Sequence, residues 1–303
     1  MVETPAIPRR GWDAVGDQGM ILVFGKTGQV ATELARLSDV VCLSRAEADL
    51  ENPASCADAI HEHAPSAVIN AAAYTAVDQA ESDAARAMII NAAAPRAMAQ
   101  ACHERGIPFV TISTDYVFDG SGTTPWPPDA ATAPLGVYGT TKRQGEIDVL
   151  AVNPAAVILR TSWVFSPHGT NFVKTMLRLG RDRDALSIVA DQWGGPTPAR
   201  AIAEACHQIA TAKAQGTAHG SGIYQFAGAP DTNWADFARA IFEFAGFGPT
   251  VTDIPTSAYP TPARRPLNSR MDCSTVLSDF GIARPEWRHH LAQVIAEVTQ
   301  SQG

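Results

Sequence analysis

The 303 residues are 46% apolar and 18% charged, the proportions of an ordinary globular chain, with length enough for a large core and about two domains. Lys and Arg total 23 against 31 Asp and Glu, and this net charge of −8 argues against a nucleic-acid partner, because phosphate backbones are gripped by basic surfaces. No run reaches the ~18 apolar residues of a membrane span. The five scattered Cys form no CxxC pair, so reduced thiols in a cytoplasmic protein are expected, with neither a disulfide framework nor a metal centre.

Residues 1–19 contain Pro5, Pro8 and Gly11, no apolar stretch of a secretory signal and no periodicity, and are expected to form a flexible leader. Met20 stands directly before the first strong strand, Ile21-Leu-Val-Phe24, which leads through Gly-rich residues into a helix near 29–37. Further continuous apolar runs are Val40-Val-Cys-Leu43, Ala67-Val-Ile69, Phe109-Val-Thr-Ile112 and Ala156-Val-Ile-Leu159. Helical segments separate them near 53–63, 81–104 (with Pro95 opening a second helix) and 138–151. Continuous apolar strands alternating with helices predict a doubly wound α/β domain over 20–165, its parallel sheet covered on both faces. Beyond it the rhythm changes: short strands at Leu186-Ser-Ile-Val189 and Ile223-Tyr-Gln-Phe226 lie among helices near 169–179, 198–213, 233–245 and 287–299, with dense Pro and Gly. A smaller α/β substrate lobe over 166–303 is expected, some of whose segments return to the first domain.

Gly25-Lys26-Thr27-Gly28-Gln29-Val30-Ala31 follows the first strand and opens a helix. Gly25 permits a tight turn, Gly28 lets a pyrophosphate approach the backbone, and Ala31 allows close helix–sheet packing; helix-start N–H groups favour the anion. A plain strand–helix turn is the alternative. The second strand ends on Ser44-Arg45, a hydroxyl and a guanidinium where an NAD-preferring fold carries an acid for the ribose 2′-OH. This favours a 2′-phosphate and hence NADPH, with NADH as second choice because Glu47 and Asp49 lie close by; Arg45 as a solvated surface charge is the alternative. Asp49 and Leu50 are expected near the adenine, and Ala71, Ala72 and Ala73, closing the third strand after Asn70, are expected to let a flat cofactor lie on the backbone.

Ser113-Thr114-Asp115 ends the fourth strand, at the carboxyl edge where such sheets bind ligands. Tyr138 and Lys142 follow at i and i+4 on a helix, sharing one face. An ammonium beside a phenol favours phenolate, so Lys142 is expected to lower the proton affinity of Tyr138 and fit it for acid–base work, while Thr114 polarises the substrate oxygen.

Gly25–Val30, Asn70-Ala-Ala-Ala-Tyr-Thr-Ala-Val-Asp78, Ser113-Thr-Asp-Tyr-Val-Phe118 and Val137-Tyr-Gly139 with Lys142 resemble the extended short-chain dehydrogenase/reductases, which have a Rossmann-type fold. More narrowly, with Arg160-Thr-Ser-Trp-Val164, the 171–178 and 191–197 segments and Tyr259-Pro-Thr-Pro-Ala-Arg-Arg-Pro-Leu-Asn-Ser-Arg270, the chain resembles the dTDP-4-dehydrorhamnose reductase family. The resemblance implies reduction of the C4 ketone of dTDP-4-dehydro-β-L-rhamnose to dTDP-L-rhamnose, the activated sugar of surface polysaccharides, with NADPH or NADH. It places Gly28, Gln29, Val30, Ser44, Asp49, Leu50, Ala73, Tyr74, Thr75, Ile112, Tyr138 and Lys142 against the cofactor, with Ser113 beside them, and Thr114, Asp115 and Trp163 against the sugar. Tyr138 would supply the proton.

Trp163 offers a flat face and an N–H donor for a deoxysugar, or is simply a core side chain. Arg264 and Arg265, between Pro262 and Pro266, form a stiff basic loop suited to a pyrophosphate, or to an ion pair. Some family members are Mg²⁺-linked homodimers using carboxylates; here Arg200 stands at one such position and only Glu297 matches another, so an essential metal is not expected and a homodimer stays open. A reductase of another dTDP-4-ketosugar, a sugar-nucleotide epimerase that retains NAD, and a non-catalytic relative are the alternatives.

Overall fold

The computed structural model describes residues 19–300, so the expected leader lies, apart from Gly19, outside the described residues. The chain starts with β1 (Ile21–Phe24), α1 (Gln29–Leu34), β2 (Val40–Leu43), α2 (Pro53–His63) and β3 (Ala67–Asn70). After α3 (Val77–Ala80), α4 (Ala84–Met88), a π-helical turn Ile89–Ala93 and α5 (Ala94–Arg105) come β4 (Phe109–Thr114), α6 (Val137–Val152) and β5 (Val157–Thr161). Then follow β6 (Val164–Phe165), α7 (Phe172–Asp182), β7 (Ala185–Val189), β8 (Trp193–Gly194), β9 (Thr197–Pro198), α8 (Ala199–Ala214) and β10 (Gly222–Gln225). The chain closes with β11 (Thr232–Asn233), α9 (Trp234–Ala245), β12 (Thr250–Ile254), α10 (Ser274–Phe280) and α11 (Trp287–Gln300).

Six strands form one parallel sheet in the order β2-β1-β3-β4-β5-β10. Successive strand residues point to opposite faces. Ile21 and Val23 therefore pack with Leu34, Ile202 and Ile209, whereas Leu22 and Phe24 pack with Ile60, Met98 and Phe109. Burial on both faces explains the unbroken apolar runs, and the expected doubly wound Rossmann-type α/β architecture is the one that forms. The last sheet strand, β10, comes from beyond residue 165 and pairs with β5. A third cluster, including Phe165, Val173, Phe237, Ile241, Trp287 and Leu291, fills the space among α7, α9 and α11. Beside it β7 and β12 form a separate parallel pair.

Besides α3, the π-helical turn and the two-residue strands β6, β8, β9 and β11, two longer elements were not foreseen. In β12, Thr250-Val-Thr-Asp-Ile254 is mostly exposed and polar, so its strand state comes from pairing with β7 rather than from an apolar pattern. The seven residues of α10 are too few for a periodic signal. Strand order reverses at β1, whose neighbours are β2 and β3, and ligands of open α/β sheets bind at such a switch point, beyond the carboxyl strand ends. Among the described residues no helix is long and apolar enough to cross a membrane.

Candidate active site

The turn after β1 sits at this switch point. Gly25 has φ +111°, a backbone that side chains other than glycine's rarely adopt, and a Cβ there would meet Ala31 and Ala72 at 3.4 Å. Gly28 caps α1 with no side-chain hydrogen bond, and Lys26, Thr27 and Gly28 are exposed. Val30 is buried beneath them, whereas the Gln29 side chain turns away and its Oε1 accepts from Ser166 Oγ at 2.7 Å and Asn171 Nδ2 at 2.9 Å. Ala71, Ala72 and Ala73 are half-buried at the end of β3, forming a floor beside the turn, with Thr75 exposed next to the buried Tyr74.

At the end of β2 the expected phosphate-binding groups are already engaged. Glu47 Oε2 accepts from the Ser44 amide at 2.8 Å and its hydroxyl at 2.7 Å, and lies 4.0 Å from Lys26 Nζ. Arg45 pairs with Asp49 at 3.3 Å and with Glu51. Leu50 is buried.

The proposed chemical groups gather at the end of β4. The Tyr138 phenol is within hydrogen-bonding reach of the Thr114 hydroxyl, which donates to Asp115 Oδ1 at 3.1 Å. Burial pushes the Asp115 carboxyl up to about 6, against hydrogen bonds from Ser269 and Thr114, and its Oδ2 is buried without a partner among the described residues. Tyr116 packs edge-on against Tyr138 at 5.6 Å. Lys142 Nζ donates to the carbonyl of Ile112 at 2.7 Å, and burial pushes this ammonium down to about 8 despite the nearby Glu146 carboxylate. The expected lowering of Tyr138 does not occur in the structure: burial, opposed by Thr114 and reinforced by Asp115, pushes it up to about 12. Desolvation disfavours the phenolate more than its neighbours stabilise it.

Trp163 stands two residues past Thr161, the register partner of Thr114, and stacks on Trp234 at 3.7 Å with a positive φ of 49°. The two arginines part company. Arg265 pairs with Asp78 at 2.8 Å and donates to the carbonyl of Ala263 at 3.0 Å, whereas Arg264 is exposed and lines the cleft over Tyr138 with Val77, Glu81 and Tyr116.

Sequence reasoning missed several residues that hold this site together. Asn91, in the π-helical turn, accepts from the Tyr74 amide at 2.8 Å and donates to the Tyr74 carbonyl at 3.1 Å and to Thr141 at 3.0 Å. Ser113 turns its hydroxyl inward to Glu146, 2.6 Å away, and Glu146 pairs with Arg160. A guanidinium inside an apolar strand, and an acid one turn after Lys142, were the available signals. At the position where the family implies Mg²⁺, Arg200 donates to Glu33 and Glu297, each at 3.3 Å. A guanidinium between two carboxylates supplies the positive charge itself and repels a dication, so these residues do not fit the metal.

Comparison with known proteins agrees with the motif resemblance. The family model described as the RmlD substrate binding domain matches residues 19–300. A dTDP-4-dehydrorhamnose reductase of Burkholderia thailandensis is 43% identical over 293 residues, covering 92% of this chain and 98% of the relative. Solved dTDP-4-dehydrorhamnose reductases of Clostridium acetobutylicum (34% identical, TM-score 0.86) and of Bacillus anthracis in complex with NADP (31%, TM-score 0.85) each cover 92% of this chain and 99% of their own. With family motifs, fold and near full-length identity in agreement, the chain belongs to the dTDP-4-dehydrorhamnose reductase family.

Proposed function

We propose that the protein is an NADPH-dependent oxidoreductase that reduces the C4 ketone of dTDP-4-dehydro-β-L-rhamnose to dTDP-L-rhamnose. The observation that carries this reading is the chain Tyr138–Thr114–Asp115 at the switch-point edge of the sheet, beside a glycine turn that a Cβ would crowd. That turn and the alanine floor fit a dinucleotide: Gly25–Val30 would hold its pyrophosphate, Asp49 and Leu50 its adenosine, and Ala71–Thr75, Ile112 and Lys142 its nicotinamide half. When bound, the reduced nicotinamide supplies the hydride.

The protein's own residues supply the proton and the orientation. A phenol held up to about 12 stays protonated at neutral pH and is matched to an alkoxide, a far stronger base. Thr114 aligns the ketone oxygen with that phenol, and Asp115 fixes the Thr114 hydroxyl. Lys142, tied to the Ile112 carbonyl, holds a positive charge near the phenol and donates to the cofactor ribose. Trp163 would meet the deoxysugar with the part of its ring that the stack on Trp234 leaves open, and Arg264, paired with no carboxylate among the described residues, takes the substrate pyrophosphate.

The test follows NADPH consumption with dTDP-4-dehydro-β-L-rhamnose made in situ and identifies the product. Turnover to dTDP-L-rhamnose is expected, with a loss of about 10²–10⁴ in Tyr138→Phe and retained NADPH binding. A folded protein that binds NADPH but consumes none with this ketosugar overturns the reading; turnover of another dTDP-4-ketosugar alone replaces the substrate.

A further inference from the structure

Beneath the proposed catalytic groups lies a buried ionic cluster that the chemistry above does not use. Glu146 and Arg160 are each 1% exposed at their side chains and face each other as two forks, Nε to Oε1 at 2.8 Å and Nη2 to Oε2 at 2.7 Å. Glu146 accepts two more bonds, from Ser113 Oγ at 2.6 Å and Arg143 Nη1 at 3.0 Å. Arg160 is fixed in turn, donating to the Pro128 carbonyl at 3.1 Å and lying 5.0 Å over the Phe118 ring.

The placement of this pair is specific. Ser113 and Arg160 are register partners on β4 and β5, one step before Thr114 and Thr161. Glu146 sits one turn beyond Lys142 on α6, so consecutive turns grip consecutive residues of β4: Lys142 the Ile112 carbonyl, Glu146 the Ser113 hydroxyl. The next residue of that strand is Thr114. A buried ion pair is seldom worth more than an apolar pair of the same size, which makes stability alone a poor account of it.

We infer that Glu146 is a positioning residue for the reduction: through Ser113 and Arg160 it fixes the end of β4 against α6 and so sets Thr114 relative to Tyr138. This rests on the reading that Tyr138, Thr114 and Lys142 carry the chemistry. Its charge has a second effect, opposing the burial that drives the proton from Lys142. Arg143 and Arg160 both pair with Glu146, and Asp115 acts on Tyr138, one turn before Lys142 on α6. The π-helical turn on the far side of α6 presents the neutral Asn91.

The experiment compares Glu146→Gln, Arg160→Gln and Ser113→Ala with the unaltered enzyme. It reads kcat, the KM for NADPH, Tm, and the pH dependence of both turnover and NADPH binding. Ser113→Ala removes the grip without burying an unpaired charge; kcat is expected to fall about tenfold with KM for NADPH nearly unchanged, and Tm to fall less than in Glu146→Gln. Glu146→Gln is expected to move the alkaline limb about one pH unit lower, and Arg160→Gln, which frees the carboxylate, to move it higher although Tm falls in both. Limbs that shift alike in the two, or stay where they are, overturn the charge role, and unaltered kcat in Ser113→Ala overturns the positioning. If Glu146→Gln does not fold, Ser113→Ala and the upward limb of Arg160→Gln decide. Absence of ketosugar turnover in the unaltered enzyme defeats the functional reading instead, and the limb of NADPH binding still reports on Glu146.

Discussion

At Tyr138 two influences compete: burial favours the neutral phenol, and the Thr114 hydroxyl favours its anion. Burial wins, which suits the proposed proton donor, since such a group must hold its proton until an alkoxide forms. Lys142 responds in the opposite sense, because burial disfavours its charged form, and its ammonium is held only to about pH 8. With the ammonium as the proposed working form, kcat/KM for NADPH is expected to fall as pH rises through about 8, while Tyr138 adds no limb below about 12. A profile flat to well above that pH contradicts the assignment. At the cofactor end, Glu47 holds the Ser44 amide and hydroxyl that a 2′-phosphate would use. Glu47→Gln removes that competing charge and is expected to raise the NADPH-to-NADH ratio of kcat/KM by about tenfold or more, one charged hydrogen bond's worth. The residue types Ser44, Arg45, Tyr138 and Lys142 were legible in the sequence; their present partners were not, because pairing depends on which side chains fold into reach.

The element that organises the site is α6. Its Tyr138, Lys142 and Glu146 recur every four residues and share a face, so their grouping follows from helical spacing. How closely that face approaches its neighbours rests on two glycines. A Cβ at Gly139 would lie 2.2 Å from the Tyr116 carbonyl oxygen, and one at Gly145 2.1 Å from that of Asn91. Gly145→Ala is therefore expected to push α6 off the π-helical turn and cost about 1–3 kcal/mol, read as a lowered Tm, with weaker NADPH binding because Asn91 also holds Tyr74. An unchanged Tm would show that the turn can yield. The sequence placed one helical stretch over 81–104 with a break at Pro95; the structure divides it into α4, the π-helical turn and α5. Pro95 stands near the start of α5, but the backbone is right-handed helical from α4 through the π-helical turn into α5, so it does not open a separate helix. The π-helical turn packs on α6 through the Asn91–Thr141 bond and ends two residues before Pro95, whose missing N–H breaks the regular α-helical ladder.

At the scale of the whole molecule, β10 and α8 build the C-terminal segments into the main sheet, and polar links add to that packing. Asp78 accepts from the Ala263 amide at 3.0 Å and from Arg265 at 2.8 Å, fixing the loop that carries Arg264 over the cleft. Asp78→Asn is expected to raise the KM for the nucleotide sugar about tenfold while leaving that for NADPH near its original value; equal changes in both would place the loop's role elsewhere. On the opposite side, Arg200 of α8 ties Glu33 of α1 to Glu297 of α11, and His168 reaches Glu33 at 2.9 Å. Chelation is expected to leave Tm and activity unchanged, and a chelator-induced loss of either would overturn the assignment of that charge to Arg200.

The sequence by itself determined the strands of the main sheet, the glycine turn, the Tyr138–Lys142 spacing and the family, because hydrophobic periodicity and turn chemistry are local properties of the chain. Only the tertiary structure decided which polar groups are free to act. Asp78 and Arg265 lie 187 positions apart, and their pairing is what leaves Arg264 rather than Arg265 facing the cleft. The proton affinities of Tyr138 and Lys142 are set by the depth of protein around them. Desolvation depends on the surrounding volume and not on sequence neighbours, so no spacing of residues could have given its sign at Tyr138.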